Sequence, residues 1–173
     1  MNEPVQMSDD TWVHAMHMVR TGQQIHVSLS QMADQKASIL MGATFVIFTI
    51  TISQSRGGHA PLPLLILGAF AFFAAVFAVL AILPATKPPQ GPINLLFFGS
   101  FTQLSEQDYV RRVVGELTAE PDIYRTMIRD MYQNGVVLAR KKYRFLGYAY
   151  RIFLVGLTLS FVAFVVQWAL TQG

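Results

Sequence analysis

The stretch RKKYRFLGYAYR at residues 140–151 runs without a break into IFLVGLTLSFVAFVVQWAL at 152–170, and this junction decides the fold. Its second part holds no Asp, Glu, Lys or Arg over 19 residues. Roughly 20 apolar residues, rising ~1.5 Å each in a helix, match the hydrocarbon core of a bilayer. Two uncharged runs of the same kind stand earlier in the chain, Ala37–Ser53 with 17 residues and Leu62–Pro84 with 23. Hydrophobic residues fill 53% of the 173 positions and charged ones 13%. Soluble domains carry about 25% charge, so the composition also points to a membrane. The expected fold is an all-α membrane protein, with three transmembrane helices and a helical cytoplasmic region between spans two and three.

The charges orient this arrangement. Ten of the 13 Lys and Arg residues lie from Lys87 to Arg151, and Arg20 and Lys36 precede the first run. With three spans these twelve share one side, and only Arg56 falls on the other. Cytoplasmic loops are enriched in Lys and Arg, which places the N-terminus inside and the C-terminus outside. The expected division is a cytoplasmic helix over 1–36, spans at 37–53, 62–84 and 152–170, a periplasmic turn at 54–61, a cytoplasmic region at 85–151 and a periplasmic tail at 171–173. The first span does not read as a cleaved signal peptide. It follows 36 residues that include Glu3, Asp9, Asp10 and Asp34, rather than a short basic segment. There is no cysteine, which excludes disulfides and thiol catalysis. Basic residues beside membrane spans anchor at lipid headgroups, so the net charge of +3 does not argue for a nucleic-acid partner.

Helix signals punctuate the chain. Ser8 is a suitable N-cap, with Asp9 and Asp10 in the first turn. Four prolines and a glycine over Pro84–Pro92 end the second helix and predict an extended linker. The apolar Ile93-Asn94-Leu95-Leu96-Phe97-Phe98 that follows is too short to span. Ser105 and Asp108 open a helix with Tyr109, Val113 and Leu117 on one face. Pro121 suits the first position of another, with Tyr124, Met127, Ile128 and Met131 on its apolar side. Only Gly135 and Gly147 interrupt the pattern after that, which allows a continuous helix into the third span.

Small and polar residues recur at helical spacing within the spans. Ser38, Gly42, Thr49 and Ser53 share a side of the first; Gly68, Ala71, Ala75 and Ala78 of the second; Ala149, Gly156, Ser160, Ala163 and Gln167 of the third. Phe70, Phe73 and Phe77 take the opposite side of the second. Small residues let helix backbones approach in lipid, so these stripes predict helix packing within the chain, subunit contacts or a pore wall.

Several clusters invite a chemical reading. Asp34 and Lys36 sit where the first helix enters the membrane, as interfacial anchors or as partners of Arg140–Arg144. Arg140, Lys141, Lys142, Arg144 and Arg151 suit an anionic cytoplasmic leaflet. Arg111, Arg112, Arg125 and Arg129 lie farther from the spans, where they are a solvated face or, with Tyr109 and Tyr124, a site for one phosphate and a stacked base. Asp10, His14 and His17 share a helical face, but metal sites take three or four convergent ligands and no further cluster accompanies them. No glycine-rich phosphate loop, nucleophile triad or carboxylate pair is present, so no catalytic residue is assigned. The spans carry no ionisable residue, which disfavours an ion-coupled transporter.

Four segments in register resemble a known family. Met32-Ala-Asp-Gln-Lys-Ala-Ser-Ile-Leu40 resembles the AD-x-KAS helix start of the Pycsar effector transmembrane (PycTM) family. Asn94-Leu-Leu-Phe-Phe-Gly99, the helix start from Leu104 through Ser105 to Tyr109, and Lys142-Tyr-Arg-x-Leu146 are similar to its later landmarks. The resemblance covers roughly residues 25–170. It implies a bacterial inner-membrane protein of antiphage defence that senses a cyclic pyrimidine mononucleotide, cCMP or cUMP, made by a partner cyclase. It implies further that sensing impairs the inner membrane and causes abortive infection. The missing catalytic motifs make an enzyme unexpected, and no cofactor is expected. Three short spans cannot enclose a pore in one copy, so a homo-oligomer is expected. An accessory scaffold that docks a cytoplasmic partner, and an oligomeric channel without a nucleotide trigger, are the alternatives.

Overall fold

The structure, a computed structural model, describes residues 9–56, 58, 60–84, 91–117 and 120–172. Ser8, residues 85–90 of the proline-rich linker, Gly57 and His59 of the expected turn, and Gly173 of the tail lie outside them. Every described element is helical. The order is α1 (Asp9–Ser55), α2 (Leu62–Ile82), α3 (Phe98–Phe101), α4 (Glu106–Glu116), α5 (Glu120–Val137), a π-helical turn (Leu138–Tyr143) and α6 (Arg144–Gln172). Three helical stretches are long and apolar enough to cross a membrane: Val13–Ser55, Leu62–Ile82 and Ile123–Gln172. The last is the continuous helix that the sequence allowed, with the π turn inside it.

The chain divides into two compact units, Met1–Leu29 with Pro84–Leu138, and Ser30–Leu83 with Ala139–Gly173. The second unit holds the apolar runs. Its core is made of Ala33, Ala37 and Leu40 from α1, Ala78 and Ala81 from α2, and Leu146 and Ala149 from α6. Alanines dominate because, without a hydrophobic force between helix and lipid tail, close backbone approach supplies the packing energy. Gly68 and Gly156 mark the tightest approaches. A Cβ on Gly68 would lie 2.7 Å from the Thr51 side chain, and one on Gly156 only 2.2 Å from Phe70 Cβ. Phe77 packs on Phe145 and edge-on to Tyr148.

Hydroxyls in this unit are satisfied internally, as a water-free surrounding demands. Ser38 donates to the carbonyl of Asp34, Thr49 to that of Phe45 and Thr51 to that of Ile47, each within α1. Ser160 instead reaches across from α6 to the Pro63 carbonyl in the first turn of α2, 2.7 Å away and buried.

The stripes of small residues divide by helix. Ala149, Gly156 and Ser160 of α6 and Gly68, Ala71 and Ala78 of α2 are buried as packing faces, with Ala75 half-buried. Among the described residues, Ser38, Gly42 and Thr49 are not part of the packed face of α1. They are exposed, and a Cβ on Gly42 would meet nothing within 4 Å. The buried side of α1 is instead Ala33, Ala37, Leu40 and Thr44, one position out of phase with the stripe. At 100° per residue that offset puts Ser38 and Gly42 on the flank. Phe70 and Phe77, placed opposite the small residues of α2 in the sequence reading, are half-buried and contribute to packing.

The first unit is built differently, around polar contacts. Asn94 is 1% exposed, so its side chain must be fully bonded or destabilising. Its Nδ2 donates to Asp130 Oδ1 at 3.0 Å and Gln133 Oε1 at 2.8 Å, and its Oδ1 accepts from the backbone N–H groups of Leu96 and Phe97. Its own N–H donates to Ser100 Oγ at 3.0 Å. This Asx turn fastens the 92–101 segment to α5. Elsewhere in the unit α1 approaches α5 at glycines, where Met131 lies over Gly22 and His26 over Gly135.

Candidate functional site

A cleft of about 320 Å³ in the first unit is lined by Pro92, Ile93, Leu95, Arg112, Gly115, Glu116 and Arg129. Three pieces of chain meet there, and the sequence explains each. The 92–95 segment is held by the Asn94 turn. Helix α4 brings Arg112, Gly115 and Glu116 to one side, since residues three and four apart share a face. It starts at a built cap, where Ser105 Oγ accepts from the Asp108 N–H at 3.2 Å and donates to Asp108 Oδ2 at 2.8 Å. Helix α5 supplies Arg129, half-buried. Thr126, one turn earlier on α5, donates its hydroxyl to Glu116 Oε2 at 2.7 Å and ties the two helices together.

Two guanidinium groups, one carboxylate and three apolar walls define what the cleft can hold. Its volume is at the small end of ligand pockets, roughly 300–1,000 Å³. The formal charge of its side chains is +1, which suits a small anion with an apolar or aromatic body. Guanidinium forks match phosphate oxygens geometrically and by charge.

The six residues named as a nucleotide site therefore separate. Arg112 and Arg129 come together at the cleft. Arg111 points elsewhere and pairs with Asp108 on its own helix. Tyr109 stacks on Phe101 with ring centroids 4.8 Å apart and donates its hydroxyl to the Leu95 carbonyl at 3.3 Å. It supports the wall behind the cleft without lining it. Arg125 is exposed and Tyr124 half-buried, and neither lines the cleft. Glu116, Asp130 and Gln133 were not singled out from the sequence, and Asn94 stood there only as the head of a family-like segment. A lone Asn inside the apolar 93–98 run was the available signal, because an amide in such company has to be bonded.

The second unit brings the charged helix entry together. Lys142, in the π turn, donates to Asp34 Oδ2 at 2.6 Å, Asp34 Oδ1 at 2.8 Å and Ser30 Oγ at 2.7 Å. Asp34 thus pairs with the basic segment. Lys36 is exposed, and its carbonyl accepts from the Tyr150 hydroxyl at 3.1 Å. Arg144 lies over the Tyr148 ring, 5.8 Å from its centroid. Arg140 and Arg151 are exposed and Lys141 is half-buried. Gln167 lines an apolar groove of about 640 Å³ between α2 and α6, with Trp168, Phe164 and Pro61. His14 and His17 are exposed, and among the described residues no three metal-ligating side chains converge.

These features define a class: a small all-helical protein with three membrane-length helices, and with an anion-suited cleft in a unit separate from the apolar core. The chain belongs to the Pycsar effector family. The profile of the Pycsar effector protein domain, PycTM, matches residues 17–169, which takes in most of both units. It is accordingly a membrane-embedded effector of antiphage defence. No curated protein and no solved structure matches the chain.

Proposed function

We propose that the protein is a nucleotide-gated membrane effector: a cyclic pyrimidine mononucleotide, cCMP or cUMP, binds the Arg112–Arg129 cleft and drives assembly that impairs the inner membrane. The observation that carries this reading is the convergence of two arginines from different helices on one mononucleotide-sized cleft. A cyclic phosphate is a monoanion, which the side-chain charge of +1 offsets. Ile93, Leu95 and Pro92 supply an apolar wall for the base. In this reading the ligand acts as a signal.

Twelve basic residues against one orient the cleft to the cytoplasm, where a cyclase product accumulates, with the C-terminus in the periplasm. Ligand shifts an equilibrium only by its differential affinity for the two states. Moving a resting population from 1:99 to 99:1 takes about 5.5 kcal/mol, within reach of two charge-assisted phosphate contacts and a buried base. The exposed stripe of Ser38, Gly42 and Thr49 offers α1 for close contact with another copy, and a homo-oligomer supplies what three spans cannot enclose. Abortive infection follows as the cellular outcome.

The test uses purified full-length protein in liposomes loaded with a self-quenched dye. Dye release that requires cCMP or cUMP, matched by calorimetric binding, supports the reading. Release without nucleotide leaves an untriggered channel, and neither release nor binding leaves a scaffold.

A further inference from the structure

We infer that Glu116 reads the base of the ligand and sets the cleft for cytosine over uracil, an inference that rests on the cyclic-nucleotide reading above. A carboxylate is an unexpected lining for an anion site. Beside the negative ligand it repels unless it faces a hydrogen-bond donor. No salt bridge joins Glu116 to Arg112 or Arg129 among the described residues. A carboxylate lining the cleft offers the ligand an acceptor for a hydrogen-bond donor.

Glu116 is also fixed in place. Thr126 donates to its Oε2 at 2.7 Å, and the residue is half-buried at the edge of the cleft. An ionised carboxylate has about four acceptor sites, so one bond from Thr126 leaves capacity for another. Holding the group by a neighbouring helix removes the rotamer freedom that would otherwise blur discrimination.

The two pyrimidines differ at the edge such a group would meet. Cytosine presents an exocyclic amine, a donor that carboxylates accept from; uracil presents a carbonyl oxygen at the same place. Against Glu116 the amine gains a charge-assisted bond, and the carbonyl sets two acceptors against each other. Sites that hydrogen-bond a donor reject analogues lacking it, because the buried acceptor is left unpaired. Gly115, also lining the cleft, leaves open space beside the carboxylate, since a Cβ there would meet nothing within 4 Å.

The experiment is calorimetric titration of the full chain in nanodiscs with cCMP, cUMP and cGMP, for the native protein and for Glu116→Gln. Glutamine keeps an acceptor for Thr126 and adds a donor that suits the uracil carbonyl, so the fold is retained and only the polarity changes. Native protein should prefer cCMP by about tenfold or more, the size of one good base contact. Glu116→Gln should shrink the ratio, mainly by tighter cUMP binding. Equal affinities in the native protein, or an unchanged ratio in Glu116→Gln, overturn the assignment of Glu116 while leaving the cleft as the nucleotide site. Tighter binding of cGMP than of either pyrimidine overturns the pyrimidine reading, no binding of any of them overturns the nucleotide reading, and either result overturns this inference with it. Arg112→Ala separates the two levels, because it should weaken cCMP and cUMP alike without changing their ratio.

Discussion

Lys142 reaches from the π turn to Asp34 on α1 and donates to both carboxylate oxygens, at 2.6 and 2.8 Å. Ser30, one turn before Asp34, accepts a third bond from the same ammonium at 2.7 Å, so all three of its protons are used. The pair is partly covered, with side-chain exposures of 20% for Lys142 and 41% for Asp34. A fully exposed pair would contribute about 0.2–1 kcal/mol, and partial cover with a bifurcated geometry places this one near the upper end. Lys142→Met should lower the thermal midpoint in detergent by a few degrees. A double-mutant cycle with Asp34→Asn should return a coupling of about 1 kcal/mol. Additive effects of the two substitutions would show that the pair is geometric only.

Asn94 makes a sharper prediction. Its amide donates to Asp130 and Gln133, while its oxygen accepts from two backbone groups. Asn94→Asp conserves shape but exchanges the donor for an acceptor beside the Asp130 carboxylate. Buried groups left unsatisfied cost about 1–3 kcal/mol, and charged ones more. Asn94→Asp should therefore destabilise the first unit at neutral pH more than Asn94→Ala, which removes the group without reversing its sign. Hydrogen exchange over residues 94–104 measures this directly, and equal protection in both variants would count against the network.

Much of this architecture can be read from residue order, and the failures have physical causes. Charge-free runs of 17, 23 and 19 residues announce the three long apolar helices, because a helix satisfies its backbone within its own segment. Ser105 and Asp108 announce the start of α4, because a cap is a local bond. The face of α1 that packs was not legible. Ala33, Ala37 and Ser38, Gly42 are equally small, and only the positions of α2 and α6 choose between phases one residue apart. The cleft was half legible for a related reason. Arg112 and Arg129 are marked by charge, but Arg111 is identical in type and is taken by Asp108 on its own helix. Glu116 gave no signal, since its role depends on a threonine from another helix.

The two helix glycines in the second unit should respond to substitution in a graded way. A methyl group at Gly156 would fall 2.2 Å from Phe70 Cβ, an atom that cannot swing aside without moving α2. At Gly68 the obstacle is the Thr51 side chain at 2.7 Å, blocked on both branches. Overpacking of a close-packed contact costs about 1–3 kcal/mol. Gly156→Ala should be the more damaging and Gly68→Ala the less, since a side chain can rotate. Thermal melting in detergent ranks them, and a melting point for Gly156→Ala equal to the native one would deny the close α2–α6 approach.

Nucleotide binding, once measured, should discriminate among the arginines. Arg112→Ala and Arg129→Ala should each weaken it by about tenfold or more, the range of a charge-assisted hydrogen bond. Arg111→Ala, which removes a residue paired with Asp108 outside the cleft, should leave binding within about twofold, since it takes away only a screened surface charge. Loss of binding in Arg111→Ala with retention in Arg112→Ala would move the site off this cleft.

The exposed side of α1 gives the prediction that separates folding from assembly. Among the described residues, Gly42 meets nothing within 4 Å at its would-be Cβ, and Ser38 and Thr49 bond within their own helix. Gly42→Leu thus adds bulk where the single chain has room, and leucine favours the helix over glycine by up to about 1 kcal/mol. The protomer should be at least as stable, and nucleotide binding unchanged. A subunit contact through small residues cannot tolerate the same change, because backbones held close by glycine must separate. Nucleotide-triggered dye release should then fall sharply, and cross-linking in liposomes should show fewer higher-order species. Native levels of release from Gly42→Leu would remove this face from the assembly and turn attention to the groove that Gln167 and Trp168 line between α2 and α6.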